Sequence, residues 1–178
     1  NMMGAAVLEP KVNTFAEQAW EYKYMPKLRG AETGAFVPAQ NSAGEWYYND
    51  SYEKYYTSKN IIGENMFYKC GNLQSIVLPD NVTTIGVGAF YSCSSLNSIN
   101  MPVCVTSIGS VAFSDCTSLT TINIPNGVTS INAYTFRNCS SLTSIDIPDG
   151  VTSIGQAAFY GCSSLTSATI GKGVTTID

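Results

Sequence analysis

Residues 142–164 read LTSIDIPDGVTSIGQAAFYGCSS, and this stretch decides the fold because the chain repeats its pattern every 23 residues. Phenylalanines fall at Phe67, Phe90, Phe113, Phe136 and Phe159, and three residues after each comes Cys70, Cys93, Cys116, Cys139 or Cys162. Leu73, Leu96, Leu119, Leu142 and Leu165 keep the same step, as do Ile76, Ile99, Ile122 and Ile145, with Ala168 in the fifth place. A fixed period of this length means a solenoid, whose copies stack because none can bury its apolar side alone.

Within the quoted copy, Leu142, Ile145 and Ile147 have the spacing of a short strand entered from a bend, with Ile145 and Ile147 on one face by the period of two. Stacked in register, such strands give a parallel sheet. Pro148 ends the strand because proline cannot donate to the ladder. Asp149-Gly150 makes a tight turn with a residue that tolerates positive φ. Val151 and Ile154 return to the core across a second extended piece, and Ala158, Phe159 and Cys162 read as one helical or 3₁₀ turn. The expected class is a β-rich α/β solenoid: a parallel sheet, short extended pieces, and single helical or 3₁₀ turns.

The quoted copy resembles the leucine-rich repeat of the BspA type, found in bacterial surface proteins and some protist surface proteins, and the resemblance covers residues 59–178. It implies a curved solenoid with the parallel sheet on its concave face. It also implies a role outside the cell, in attachment to host proteins or other cells.

Composition agrees with a packed chain: 44% of the residues are hydrophobic and 12% charged, which excludes disorder. The net charge of −4, without a basic stripe or a run of like charge, gives no footing for nucleic acid. No apolar stretch approaches the roughly 18 residues of a membrane span, so no direct membrane insertion is expected. Ser, Thr and Asn stand where cytosolic solenoids carry Lys and Glu, which points to an extracellular or cell-surface location. The sequence opens at Asn1 without a basic segment followed by an apolar one, so a secretion signal has been removed or lies outside the sequence. At Asp178 a further copy would continue, so either a longer array was cut or the half-copy is a cap.

Five of the six cysteines recur at one repeat position and form a column with members about 4.8 Å apart, one strand spacing. Such a column reads as buried thiols acting as small hydrophobes. Disulfides between adjacent rungs are geometrically conceivable, although five ladder members cannot all pair. No metal is expected, because a linear column does not converge four ligands on a point. Cys104 lies off the column, where other copies carry Asn81, Gly127, Gly150 and Gly173, and is the one expected exposed thiol. Since cysteine tolerates positive φ poorly, its turn should differ from its neighbours.

Residues 1–34 form a degenerate capping repeat. Leu8, Val12, Phe15, Ala19 and Trp20 have the mutual spacings of Leu78, Val82, Ile85, Ala89 and Phe90, Lys23 stands in the cysteine place, and Leu28 resumes the strand. The chain thus begins inside a strand, or with Val7 and Leu8 as a cap. Residues 35–58 are an aromatic-rich insertion, and residues 59–178 hold five 23-residue repeats, the last incomplete, in one continuous domain. The insertion carries Trp46, Tyr47, Tyr48, Tyr52, Tyr55 and Tyr56. Insertions in repeats are often where binding occurs, and Tyr and Trp give large contact area at low entropic cost. These six are the candidate ligand-binding residues. The alternative is that they fold over the solenoid and shield apolar surface. Tyr52, Tyr55 and Tyr56 also have the spacing of one face of a short helix.

The exposed side of the parallel sheet should carry Ser75, Val77, Ser98, Asn100, Thr121, Asn123, Ser144, Asp146, Ser167 and Thr169, a polar surface without the Trp, Tyr or Arg of binding hot spots. A surface of hydroxyl and amide groups suits broad low-affinity contact or sugars; the alternative, which is favoured, is that the stacked columns satisfy one another. Tyr68, Tyr91 and Tyr160 share a column with Ser114 and Arg137, an interrupted row of surface residues. The chain has no histidine, which removes Ser-His-Asp and Cys-His arrangements, and it has no phosphate-binding glycine loop. Neither catalysis nor a cofactor is expected. The functional expectation is a secreted or surface-displayed binding protein whose partner is a protein or glycan of a cell surface or extracellular matrix. Adhesion to proteins comes first, sugar capture by the loop aromatics second, and a passive spacer third.

Overall fold

The computed structural model of the chain describes residues 61–178 apart from Pro79 and, before them, the backbone of five short strands. These are β1 (Ala5–Ala6), β2 (Gly34–Phe36), β3 (Ala39–Gln40), β4 (Trp46–Asn49) and β5 (Lys54–Thr57). The repeats add β6 (Ile61–Ile62), β7 (Leu73–Val77), β8 (Thr84–Ile85), β9 (Ser98–Asn100) and β10 (Ser107–Ile108). They continue with β11 (Ser130–Ile131), β12 (Ser144–Ile147), β13 (Ser153–Ile154), β14 (Ser167–Ile170) and β15 (Thr176–Ile177).

The strands stack in two parallel columns. The first holds the sheets β1-β2-β7-β9 and β12-β14, the second β6-β8-β10 and β11-β13-β15. Parallel pairing sets each residue on its counterpart one copy on, as in Ser75 on Ser98 and Ser144 on Ser167. Strand β12 alternates exposed and buried positions, placing Ile145 and Ile147 in the core and ending before Pro148. Phe67, Phe90, Phe113 and Phe136 are fully buried, and the five rings stack nearly parallel, with successive centroids 5.1, 5.2, 5.7 and 5.5 Å apart.

The cysteine column holds thiols, with no disulfide among the described residues. The Sγ atoms of Cys93, Cys116, Cys139 and Cys162 donate to the carbonyls of Phe67, Phe90, Phe113 and Phe136, 3.0–3.2 Å away. Cysteine suits this place as a small hydrophobe with one weak donor. Hydroxyls do similar work at the surface: Thr143, Thr152, Thr166 and Thr175 each donate to the carbonyl 23 residues earlier. These two threonine columns are thus satisfied by backbone carbonyls of the preceding copy.

The solenoid agrees with the sequence expectation, but its helical or 3₁₀ turns do not form among the described residues. In a 3₁₀ turn every N–H would bond locally. Here the N–H groups of Met66, Tyr68 and Cys70 donate three residues back, while those of Asn65, Phe67 and Lys69 donate to Val87, Ala89 and Tyr91 of the next copy. Left-handed residues make the alternation possible: Asn65, Gly88, Val111, Tyr134 and Ala157 in one column, and Lys69, Ser92, Asp115, Asn138 and Gly161 in another, all have positive φ. The backbone strain at the non-glycine members, about 1–2 kcal/mol each, is offset by the rung-to-rung hydrogen bonds it permits.

Positive φ is not why glycine follows Asp149. Gly150, Gly127 and Gly173 are absent from the left-handed residues; a Cβ on Gly150 would stand 3.0 Å from the Asn126 carbonyl oxygen, and on Gly173 it would collide with that of Asp149. Close approach of the preceding rung is the constraint. The Cys104 turn accordingly keeps the form of its neighbours: Val105 N–H bonds Pro102, as Val128 bonds Pro125 and Val151 bonds Pro148. Toward the N-terminus, Leu8, Val12, Phe15, Ala19, Trp20, Lys23 and Leu28 lie outside the described residues. The strand beside β7 is Gly34–Phe36, with Phe36 opposite Ile76.

One interface departs furthest from the pattern. Between the copy starting at Leu96 and that starting at Leu119 neither column is paired, and Thr121–Asn123 forms no strand. The backbone bonds that join Thr106 to Thr83 and Thr152 to Thr129 have no counterpart between Thr129 and Thr106 among the described residues. The turn side of the same interface stays closed, with Val111, Phe113 and Asp115 donating to Ala133, Thr135 and Arg137. The result is a seam, and Asn132 accounts for its unpaired second column. The equivalent Gly86, Gly109 and Gly155 lie so close to the preceding rung that a Cβ would fall 2.5–2.8 Å from its backbone. Asn132 carries that Cβ, and its Nδ2 takes the Ile108 carbonyl at 2.6 Å, the bond that backbone N–H groups make at Gly86, Gly109 and Gly155. Asp178 occupies the same column and still donates through its N–H to Ile154, so it is the side-chain amide at Asn132 that displaces the backbone bond.

Three outcomes follow from this packing. Phe136→Ala, which removes a fully buried ring between two stacked partners, should cost about 3–5 kcal/mol in urea unfolding. An unchanged midpoint would refute the ring column. Gly109→Ala puts a methyl 2.5 Å from Val87 N and should cost about 1–3 kcal/mol, whereas the same change at exposed, unconstrained positions costs little. Third, burial pushes the Cys116 thiol up to about 12. The folded state therefore holds a proton that the unfolded thiol loses near pH 8.5. Stability from this group is complete below that pH and is lost as pH rises toward about 12. Urea midpoints across alkaline pH should show the decline, and Cys116→Ala should lessen it, the remainder coming from Cys139 and Cys162, which burial also raises.

Candidate functional site

Three surfaces were candidates, and the structure separates them. In the aromatic insertion β3, β4 and β5 form an antiparallel sheet of their own, in that order. Trp46, Tyr47 and Tyr48 lie on β4, Tyr55 and Tyr56 on β5, and Tyr52 lies outside the described residues. The register sets Tyr47 opposite Tyr56 and Tyr48 opposite Tyr55, with Trp46 opposite Thr57 and Gln40. Because β5 is extended, Tyr55 and Tyr56 do not share a helical face with Tyr52. A paired ribbon holds the two Tyr–Tyr positions in succession.

The second surface is the row beside the core phenylalanines, which the sequence reading left as ordinary surface. Tyr68 and Tyr91 stack there at 5.1 Å with planes 13° apart, and the Lys69 ammonium sits 5.3 Å from the Tyr68 ring centre. Partial burial first, then the charge and hydrogen bond of Asp115, raise the Tyr91 hydroxyl above its ordinary value. Asp115 also accepts from Asn138 Nδ2 at 2.7 Å and Ser114 Oγ at 3.1 Å. The 23-residue step between Tyr68 and Tyr91 was the signal for this pair. Asp115, in the next copy, interacts with Tyr91 although it shares neither the tyrosine column nor the 23-residue step.

On the third surface, the open face of the first column, Val77, Ser98, Asn100, Thr121, Asn123, Ser144 and Asp146 are exposed, as expected. Asn100 does not simply pair with its column neighbours. Its side chain accepts from Leu78 N at 2.7 Å and donates to Leu78 O at 3.3 Å. Where the seam crosses this face, a cavity of about 340 Å³ opens between Ser98, Thr121 and Ser144. Among the described residues no three His, Cys, Asp or Glu side chains converge as a metal site, and no helix is long and apolar enough to cross a membrane. What these surfaces offer is contact area and hydrogen bonds.

Known proteins place this architecture. The leucine-rich repeat protein of Treponema pallidum (TpLRR) superposes with a TM-score of 0.67 at 21% identity, over 97% of this chain and 73% of that one. A leucine-rich cell surface protein of Faecalibacterium prausnitzii gives 0.62 at 27% identity, over 78% and 41%. A leucine-rich repeat protein of Bacteroides ovatus gives 0.60 at 35% identity, over 70% and 32%. The chain therefore spans well under half of the latter two. No curated protein matches it in sequence. The BspA-type leucine-rich repeat model matches residues 60–178 in six copies. With those copies stacked rung on rung as one parallel solenoid, the chain belongs to the BspA-type leucine-rich repeat family.

Proposed function

We propose that this chain is a non-catalytic scaffold displayed at a bacterial cell surface, and that it adheres to partner proteins through the aromatic insertion. The observation that carries this reading is the register of β4 and β5, which pairs tyrosine with tyrosine twice beside Trp46. Aromatic residues on paired strands lose less conformational freedom on binding than the same residues in an open loop, and Tyr and Trp dominate binding hot spots. The repeats serve as a regular support. Display at the surface is supported by the Faecalibacterium cell surface protein among the similar structures. Tyr52 is included in the contact set with Trp46, Tyr47, Tyr48, Tyr55 and Tyr56.

The test is binding of the chain to a panel of extracellular-matrix and epithelial surface proteins, beside the Trp46→Ala, Tyr47→Ala, Tyr48→Ala triple variant. Selective binding should fall at least about tenfold, or about 1.4 kcal/mol, in a variant whose circular dichroism is unchanged. Equal binding by both proteins would move the contact off the insertion.

A further inference from the structure

The seam offers a site independent of the insertion. Two open cavities straddle it. One, of about 340 Å³, is lined by Ser98 and Ile99 on one rung, Thr121 and Asn123 on the next, and Ser144 and Asp146 on the third. The other, of about 370 Å³, lies between Val103 and the Asn123–Asn126 turn, and shares Asn123 with the first. The first is at the small end of the range of about 300–1,000 Å³ for small-molecule sites. Elsewhere on this face neighbouring strands are pinned by ladder bonds; only around Thr121–Asn123 is the ladder missing on both sides.

The lining selects a ligand class. Three hydroxyls and one amide can each donate or accept, while Asp146 only accepts. No Lys or Arg lines either cavity, so an anion would meet the Asp146 carboxylate with nothing to balance it. Ile99, unlike its column mates Ile76, Ile122 and Ile145, is only partly buried, and gives the cavity an apolar wall. An extended peptide inserting as an extra strand would need about 9.6 Å between flanking strands, twice the strand spacing. Along the ring column and the second strand column the same two rungs are held closer than that, with Phe113 and Phe136 5.7 Å apart and Cα atoms of β10 and β11 within 8 Å. A compact neutral ligand, dense in hydroxyl groups and with one C–H face, meets all of these conditions. We propose that the seam cavity is a binding site for a neutral sugar residue, with its hydroxyls on Asp146, Asn123 and the Ser/Thr groups and its C–H face on Ile99. Asn132 acts in this proposal as a positioning residue: it lines neither cavity, yet its side chain occupies the Ile108 carbonyl on which the ladder of the second column would otherwise close.

The experiment is saturation-transfer NMR and calorimetry of the chain with neutral monosaccharides and short neutral oligosaccharides. It is run beside Asp146→Ala, Asn132→Gly, and the triple insertion variant described above. Expected are saturation transfer to at least one neutral sugar, and a loss of about tenfold or more in affinity with Asp146→Ala, equivalent to one charge-assisted hydrogen bond. A similar loss is expected with Asn132→Gly, which lets the ladder close, together with a raised melting temperature and slowed amide exchange at Thr129 and Thr120. Affinity in the triple insertion variant should be unchanged. The proposal fails if no neutral sugar binds, if only charged saccharides or peptides bind, or if Asn132→Gly binds as the parent does while its exchange shows a closed seam. Sugar binding lost in the insertion variant alone would assign the sugar to the aromatic ribbon and overturn the seam site.

Discussion

Everything in this molecule is subordinate to the approach of one backbone to the next. Rungs that share a ladder sit about 5 Å apart, as the ring separations record. At that distance a position directed along the axis has room for hydrogen, for a flat ring, or for a hydrogen-bonding group that reaches the preceding carbonyl, and for little else. Glycine at positions 86, 109 and 155, phenylalanine in the stack, and cysteine and threonine donating backward are three answers to the same restriction. Hydrophobic burial supplies most of the driving force, since the core column from Ile62 to Ala158 is almost continuous. The spacing decides which residues can use it.

The period made the strand columns, the ring column and the thiol column legible in the sequence, because each is filled by one residue type. The left-handed columns were not. Asn65, Gly88, Val111, Tyr134 and Ala157 have no chemistry in common and include a β-branched member, so no propensity argument would find them. They are set by where their N–H groups must point. The glycine after Asp149 was assigned a conformational reason when the actual one is steric, a difference visible only once the neighbouring rung is in place. Asn132 was equally silent. Read along the chain it is one polar residue among many; read down its column it stands where Gly86, Gly109 and Gly155 stand.

The candidate sites divide in the same way. An aromatic cluster is conspicuous in any sequence, and Trp46, Tyr47, Tyr48, Tyr55 and Tyr56 fall on paired strands. The arrangement of Tyr68, Tyr91 and Asp115 depends on backbone handedness, and the cavity between Ser98, Thr121 and Ser144 depends on a missing ladder, so neither follows from residue types alone. Both proposed binding surfaces lie where regularity lapses, one at inserted residues and the other at a break in the ladders.

The seam also bears on how the molecule comes apart. In a stack of copies each rung is stabilised by its immediate neighbours, and the free energy is close to a sum of per-rung and interface contributions. An interface that keeps its turn-side bonds but lacks both ladders couples its neighbours more weakly than the others. Unfolding therefore partitions there, into a block ending near Cys116 and a block beginning near Leu119, with the protective opening energies of the two blocks set separately. A single amide side chain thus turns what would be one cooperative column into two joined foldons.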